Sequence, residues 1–481
     1  MSRRIAALSL VALTACPGPN APGGAQIAPL TLEVGQPGAL LSGVAASGDG
    51  ATVFVAMTRS VQPPDAAAPL PAATVAPAPS SAAAPATAAP APPPAAATPP
   101  SAAAPRASGA RTTISARRRG EPRPRWHTDL DGTGGPLARA GGLIVAALGG
   151  TGSAASLPLR GEPGAAVAAL DAATGAIAWK LALDATDWSV IAALAATPDG
   201  VVVGGSFSGT LRVGDKIVSS GGRTDGFVAR LTAQGGVAWV IRVGGPGADA
   251  VQGIATAGAR IAIAGTFTAG ADLLGAPLPP FDDRSIAADG FVAELDAAGA
   301  RRWVDTFGGK HDETVAGVAI DARGRIAVAA TIRETVHVGG AELAANGPAD
   351  GMVAWWTPSG TADAQLRIGG TDFDGLRAIT ATGDRVVVAG FFSGAIQLGD
   401  RALTAAGGDD AFLAELDAGG RVVAAWPVTG DGREEITALA DLPGGFVAGI
   451  AHTAAATAAG DPLPAPADPM SGAAVVVRPA R

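Results

Sequence analysis

An all-β fold, a seven-bladed β-propeller, is what the sequence predicts, and three observations predict it. First, one unit recurs: DGFVARLTAQGGVAWVIRVGG from Asp225, DGFVAELDAAGARRWVDTFGG from Asp289, DGMVAWWTPSG from Asp350 and DAFLAELDAGGRVVAAW from Asp410, at spacings of 64, 61 and 60 residues. Self-similarity at a fixed period marks an architecture in which each unit buries its apolar face on its neighbours. Second, each unit reads as short runs of valine, isoleucine and alanine separated by glycine or Asp-Gly turns, the pattern of short antiparallel strands. Third, the last unit lacks a fourth strand, while LTLEVGQPG from Leu30 to Gly38 lines up with VIRVGGPG from Val240 to Gly247. An N-terminal strand is therefore expected to complete the C-terminal blade and leave no open sheet edge.

Taken from the start, residues 1–15 read as an export signal. Arg3 and Arg4 precede an apolar stretch from Ile5 to Leu13 that is too short to span a bilayer, and small residues lead to Cys16, the single cysteine. Residues 16–29 form a short tether. Residues 30–481 carry the repeats, with strands A then B starting near Leu41, Leu137, Ile191, Gln252, Ala316, Leu376 and Ile436. C strands follow near Thr113, Ala165, Gly226, Gly290, Gly351, Ala411 and Ala473, and D strands near Trp126, Trp179, Trp239, Trp303, Leu366 and Trp426. Five tryptophans at one repeat position are structural in the first instance. The excess over a common blade lies between B and C, where Leu211–Gly214, Val336–Gly339 and Ile396–Gly399 each start a small hairpin. These hairpins are expected to project from the ring as contact surface.

Residues 62–110 form an insertion expected to be disordered and partly polyproline II, because from Gln62 to Pro105 the chain is almost purely alanine, proline, serine and threonine, a composition that buries no core. The blade-like segment Leu41–Met57 precedes this insertion and Arg111–Arg117 resumes the unit after it, which makes it a loop inside the first blade and not a stalk. Counting blades only from Arg111 gives the alternative, a six-bladed ring with an orphan hairpin. After the insertion come Arg106, Arg111, Arg117, Arg118, Arg119, Arg123 and Arg125, either a solvated edge or a site for anionic lipid headgroups or lipopolysaccharide phosphates.

Lysine and arginine total 34 against 42 acids, a net charge of 34 − 42 = −8, so nucleic acid is not an expected partner. With Cys16 the one cysteine, no disulfide staples the domain, and stability must come from buried apolar area, which a 48% hydrophobic chain supplies. The histidines His127, His311, His337 and His452 show no ligand spacing, and no metal or cofactor is expected. Asp129 and Asp131 with Gly132 make a fragment of a calcium loop that lacks its third acid. Acids recur in the loops from D of one blade to A of the next: Asp249, Asp312, Asp372 with Asp374, and Glu434 with Glu435. They either line one mouth and bind a cation or a basic partner, or cap their own turns through backbone hydrogen bonds.

Two resemblances add to this reading. Leu13-Thr14-Ala15-Cys16 resembles the lipobox of bacterial lipoproteins, which implies diacylation of Cys16 with palmitate-type chains and cleavage before it. Pro17, not aspartate, follows, which by the sorting rule of Gram-negative lipoproteins implies the outer membrane. The repeats resemble the bacterial β-propeller repeat family of SBBP type: Phe307-Gly308-Gly309, Asp312, Asp321 to Gly324 and Asp289 to Leu295 match its pattern, and Ala169 to Trp179 resembles one quinoprotein (PQQ-like) repeat. Quinone-dependent dehydrogenases of this fold resemble proteins that carry an adjacent cysteine pair, which this chain lacks. The sequence thus points to a monomeric, non-catalytic, lipid-anchored envelope propeller that binds a protein or a glycan, similar by architecture to the propeller lipoproteins of the outer-membrane barrel-assembly machinery. The alternative is a polysaccharide-acting hydrolase or lyase, which requires two carboxylates converging in the central channel.

Overall fold

A computed structural model describes residues 32–33, 39–60, 110–118, 121, 123–149, 164–281, 287–442, 445–463 and 472–479. The described residues form seven antiparallel sheets. The innermost strands are Ala39–Ala46, Gly134–Ala140, Trp188–Thr197, Ala250–Ala257, Thr314–Ile320, Gly375–Thr382 and Glu434–Leu442, and each packs beside the next, the last returning to the first. The ring therefore closes with seven blades. The segment before the insertion, Ala39–Ala46 with Thr52–Ser60, is no orphan hairpin: it supplies strands A and B of blade 1, whose C and D are Ala110–Arg118 and Trp126–Asp131. Seven apolar clusters, one per junction, hold adjacent blades face to face.

Alternation explains which residues meet there. In blade 4, strand B (Arg260–Phe267) and strand C (Asp289–Leu295) are buried on both faces and read as continuous apolar runs, because each is covered by a neighbouring blade on either side. Strand A carries a bulge in all seven blades, between Val251 and Gly253 in blade 4 and between Leu376 and Ala378 in blade 6. A bulge sharpens the local twist, which lets seven inner strands splay around one axis. Gly253 sits where they come closest: a Cβ there would lie 2.8 Å from the Val318 nitrogen of the next blade.

The closing strand is where the repeat pattern places it. Leu32 and Glu33 pair antiparallel with Val475 and Ala474 of Gly472–Pro479, completing the sheet of blade 7. The signal segment, Cys16 and the tether lie outside the described residues, as do residues 61–109 of the insertion. Its two flanks are paired neighbours, Ser60 opposite Ala110, so the insertion leaves and re-enters between strands B and C of blade 1.

The small hairpins differ from expectation. They do not project; each joins the sheet of the preceding blade. Thr210–Val213 and Lys216–Ser219, which emerge between B and C of blade 3, pair with strand D of blade 2 through Val213 opposite Leu183. The hairpins that begin at Asp272, Thr335, Ala395 and Ala456 do the same to blades 3, 4, 5 and 6. The physical reason is the outer edge of strand D, a row of unpaired N–H and C=O groups that the hairpin satisfies. Five sheets thereby become six-stranded, and each of these blades is stitched to its successor.

The tryptophans form a second stitch. Trp126, Trp179 and Trp239 each donate their indole N–H to a carbonyl in the C-to-D turn of the next blade, those of Ala172 (3.1 Å), Ala233 (2.8 Å) and Ala297 (3.1 Å). Each indole covers a glycine of that turn, and Gly235, at φ +82°, shows why glycine is needed: a Cβ there would be 2.9 Å from Trp179. Trp303 packs in the same way on Gly360. Trp426 does not belong to this set. It stands opposite Leu413, where Trp303 stands opposite Glu294, and its ring meets Phe446 with centroids 5.7 Å apart.

Candidate functional site: buried acids at one rim, the channel mouth at the other

The two rims carry different chemistry. At one, the D-to-A loops and the B-to-C connections emerge; at the other, the A-to-B and C-to-D turns. The rim acids expected to line a mouth fall into two groups. Asp312 and Asp372 are exposed, Asp312 accepting the Ala288 N–H at 2.8 Å. Asp249 and Asp374 are each 1% exposed and point into the protein. Asp249 accepts the N–H groups of Gly245 (2.7 Å) and Thr268 (2.8 Å), and Asp374 those of Gly370 (2.6 Å) and Ser393 (3.1 Å). Both serve to fasten their loops.

Each is also half of a pair. The aspartate that begins strand C in blades 3 to 6 faces an acid 24 residues further on, at the start of the next blade: Asp225 with Asp249, Asp289 with Glu313, Asp350 with Asp374, and Asp410 with Glu434. All eight are buried. A backbone bond accompanies each pair, for example Asp249 N–H to the Thr224 carbonyl (2.9 Å) and Glu313 N–H to the Ala288 carbonyl (2.9 Å).

The pairs come in two chemical kinds, in alternation around the ring. Seventeen residues after Asp225 and Asp350 stand Arg242 and Arg367, whose guanidinium groups donate to those aspartates at 2.8 Å each. The corresponding positions after Asp289 and Asp410 are Thr306 and Pro427, and the second acid is then glutamate. Burial pushes the Glu313 carboxyl up to about 9 and that of Glu434 up to about 8, with Asp289 and Asp410 as like-charged neighbours adding to the effect. Burial also raises Asp374, to about 6, and Asp249, while the backbone N–H groups each accepts from act the other way. Burial thus favours the neutral form of the Glu313 and Glu434 carboxyls. Each pair lies in its own interblade seam, so the eight acids do not converge on a common substrate.

Of the acids named from sequence, Asp249, Asp374 and Glu434 belong to this system. Glu313 escaped notice, although the 24-residue spacing would have found it. The other candidates are dispersed. Asp129 accepts from Thr113 Oγ1 (2.6 Å) and Asp131 lies 3.8 Å from Arg111. His311 lies 3.1 Å from Glu334, His337 stacks on Phe281, and buried His452 donates from Nδ1 to the Ala454 carbonyl (2.9 Å). Among the described residues no group of three or more histidine or acidic side chains is placed to hold a metal ion.

At the turn rim the channel opens into a cavity of about 710 Å³ walled by the ends of all seven A strands. Its lining is mainly alanine, leucine, isoleucine and threonine, with Arg139 and Asp441 the charged members. Protein surrounding Asp441 raises its carboxyl above the usual value, but no second carboxylate of the lining stands with it, and the two-acid arrangement of a glycosidase is not present in this cavity.

No family model matches the chain, so the SBBP-type resemblance rests on the repeat motifs themselves. No curated protein matches either. Solved structures of low identity are similar. BamB from Moraxella catarrhalis aligns at 14% identity over 76% of this chain and 78% of its own, with a TM-score of 0.37. The Neurospora crassa Pan2 WD40 domain aligns at 10% identity over 67% and 75%, TM-score 0.37. Quinohemoprotein alcohol dehydrogenase from Comamonas testosteroni aligns at 11% identity over 77% and 72%, TM-score 0.35. None is near enough for a shared role to be argued from it.

Proposed function

We propose that the chain is a non-catalytic β-propeller lipoprotein of the bacterial cell envelope, anchored through lipid on Cys16 in the outer membrane, that binds an envelope protein or a glycan. The observation that carries this reading is how the carboxylates are used: the recurrent acids fasten blade to blade, and the channel offers one carboxylate, Asp441, among small apolar side chains. The anchor is supported by the order of residues at the start of the sequence, with Arg3 and Arg4, an apolar run, and the chain's one cysteine after Leu13-Thr14-Ala15. The test is cell fractionation of the wild type and of Cys16→Ser. The wild type is expected in the outer-membrane fraction and the variant as a folded soluble protein. Recovery of the variant in the membrane at wild-type level refutes the anchor, and hydrolysis of an envelope polysaccharide by the purified propeller refutes the non-catalytic role.

A further inference from the structure

The ring has an orientation, and the closing strand reveals it. In blade 7, Leu32 lies opposite Val475 and Glu33 opposite Ala474, while Gly472 pairs with His452 and Pro479 with Gly445. Running from Glu33 back to Leu32 thus follows strand C from its start toward its end, which is the turn rim. The chain that precedes Leu32 leaves toward the rim with the channel mouth, and the insertion between Ser60 and Ala110 leaves from the opposite one.

On blade 1, which adjoins blade 7, the turn between strands C and D lies on that same rim and reads Arg117-Arg118-Arg119-Gly120-Glu121-Pro122-Arg123-Pro124-Arg125, five arginines against one glutamate. Arg118, Arg123 and Arg125 are exposed, and the ion pair of Arg118 with Glu121, at 3.5 Å, is a solvated contact. Elsewhere on the rim Asp171 accepts from Thr174 (2.8 Å), Asp321 from Arg325 (2.9 Å) and Asp417 from Arg421 (3.3 Å). The blade beside the chain's exit thus presents a cluster of exposed arginines.

We infer that the turn rim faces the bilayer and that Arg118, Arg123 and Arg125 dock on anionic phospholipid headgroups. The inference rests on the lipid-anchor reading for its biological setting, but the basic surface is testable without the anchor. Lipid at Cys16 brings this rim to the membrane, and the 15 residues between Cys16 and the closing strand at Leu32 keep it there. Arginines within a Debye length of an anionic surface then add to the attachment and fix the propeller's tilt. The channel mouth consequently faces the headgroups, and the strand ends Ser60 and Ala110 that flank the insertion lie at the opposite rim.

The test uses the cysteine-free Cys16→Ser chain with vesicles of phosphatidylcholine alone or mixed with phosphatidylglycerol. The protein is expected to co-sediment with the anionic vesicles and to be released by salt. Replacing all three arginines (R118Q, R123Q, R125Q) should lower the apparent partition coefficient on the order of 100-fold, about fivefold per arginine. The opposite-rim variant R223Q, K310Q, R433Q should bind like the parent. An environment-sensitive dye on Arg123→Cys should shift to the blue on anionic vesicles, and one on Arg433→Cys should not. Equal binding to both vesicle types, equal loss in both triple variants, or binding to lipopolysaccharide micelles with none to phosphatidylglycerol overturns the proposal. Vesicle binding by the cysteine-free chain with no membrane attachment of the wild type in cells would instead overturn the anchor and leave the basic surface standing.

Discussion

Trp355 and Ala364 are register partners on strands C and D of blade 5, and the indole on C fills the slot that strand D fills in blades 1 to 4. In blade 4 the same pair is Glu294 opposite Trp303. Trp303 covers Gly360 of the next blade, and Trp355 reaches Gly420, 3.3 Å from a Cβ placed there, from the neighbouring strand. The arginine preceding strand B's apolar run follows the exchange: Arg260 forms a bidentate pair with Glu294 (2.9 and 2.6 Å), and Arg325 lies over the Trp355 ring, 6.0 Å from its centroid. One junction thus achieves the same packing with two positions traded.

The trade predicts a rescue. Trp355→Ala should cost about 3–5 kcal/mol in chemical unfolding, the range for emptying a buried aromatic site. Trp355→Glu combined with Ala364→Trp should regain most of that loss, because it rebuilds the arrangement of Glu294, Trp303 and Arg260. Equal instability of the single and double variants would show that the slots are not equivalent.

The raised carboxyls of Glu313 and Glu434 predict a pH dependence of definite sign. The carboxyls of Glu313 and Glu434 are raised in the folded state, to about 9 and about 8, from an ordinary 4.5. The folded protein thus binds more protons than the unfolded chain between those limits, and the slope of stability against pH is negative there. Their contribution is fully present below pH 4.5 and is lost as pH rises through 8 to 9. Thermal melts should show the double variant Glu313→Gln, Glu434→Gln gaining on the wild type at pH 9, with the gain shrinking toward pH 5.

The glycine under Trp179 offers a controlled comparison. Gly235 and Gly258 both have left-handed backbones, at φ +82° and +61°, but only Gly235 lies under a ring, and a Cβ on Gly258 meets nothing within 4 Å. Gly258→Ala should cost about 1 kcal/mol from backbone strain alone. Gly235→Ala should cost about 1–3 kcal/mol more from overpacking. Denaturant midpoints measure the difference, and equal midpoints would remove the indole from the explanation.

The hairpins predict an aggregation phenotype. Replacing residues 210–219 with a two-residue turn uncovers the outer edge of strand D in blade 2, Ile177–Ala185. It also removes Leu211 and Val213, both fully buried. The variant should elute as oligomers in size-exclusion chromatography where the parent runs as one species.

Much of this architecture was legible in the sequence because each blade repeats its own local pattern. The seven A, B and C strands and the closing strand were found from alternation, glycine turns and the alignment of Leu30–Gly38 with Val240–Gly247. What the pattern did not show is which sheet an element joins. The hairpins read as decorations because their partner, strand D of the preceding blade, is distant in the chain. Trp426 read as a member of the tryptophan set, yet it stands 16 residues after Asp410, whereas Trp239 and Trp303 stand 14 after Asp225 and Asp289. The two-residue difference keeps the same face and shifts the partner. The rim acids read as a mouth because loop position is visible in a sequence and burial across a blade junction is not.

The closing strand also sets an order of events. Blade 7 draws one strand from near the beginning of the chain and three from the end, so its sheet is not complete until Gly472–Pro479 has been made and delivered. The first inner strand, Ala39–Ala46, packs on Glu434–Leu442 and Gly445–His452 of blade 7, so the seam of the ring waits for the last repeat. Joining such distant segments is slow, since the loop-closure entropy comes due before the contacts reward it. A chain cut short just before Gly472 would keep the first two strands of blade 7 and leave Leu32–Glu33 without the strand it pairs with.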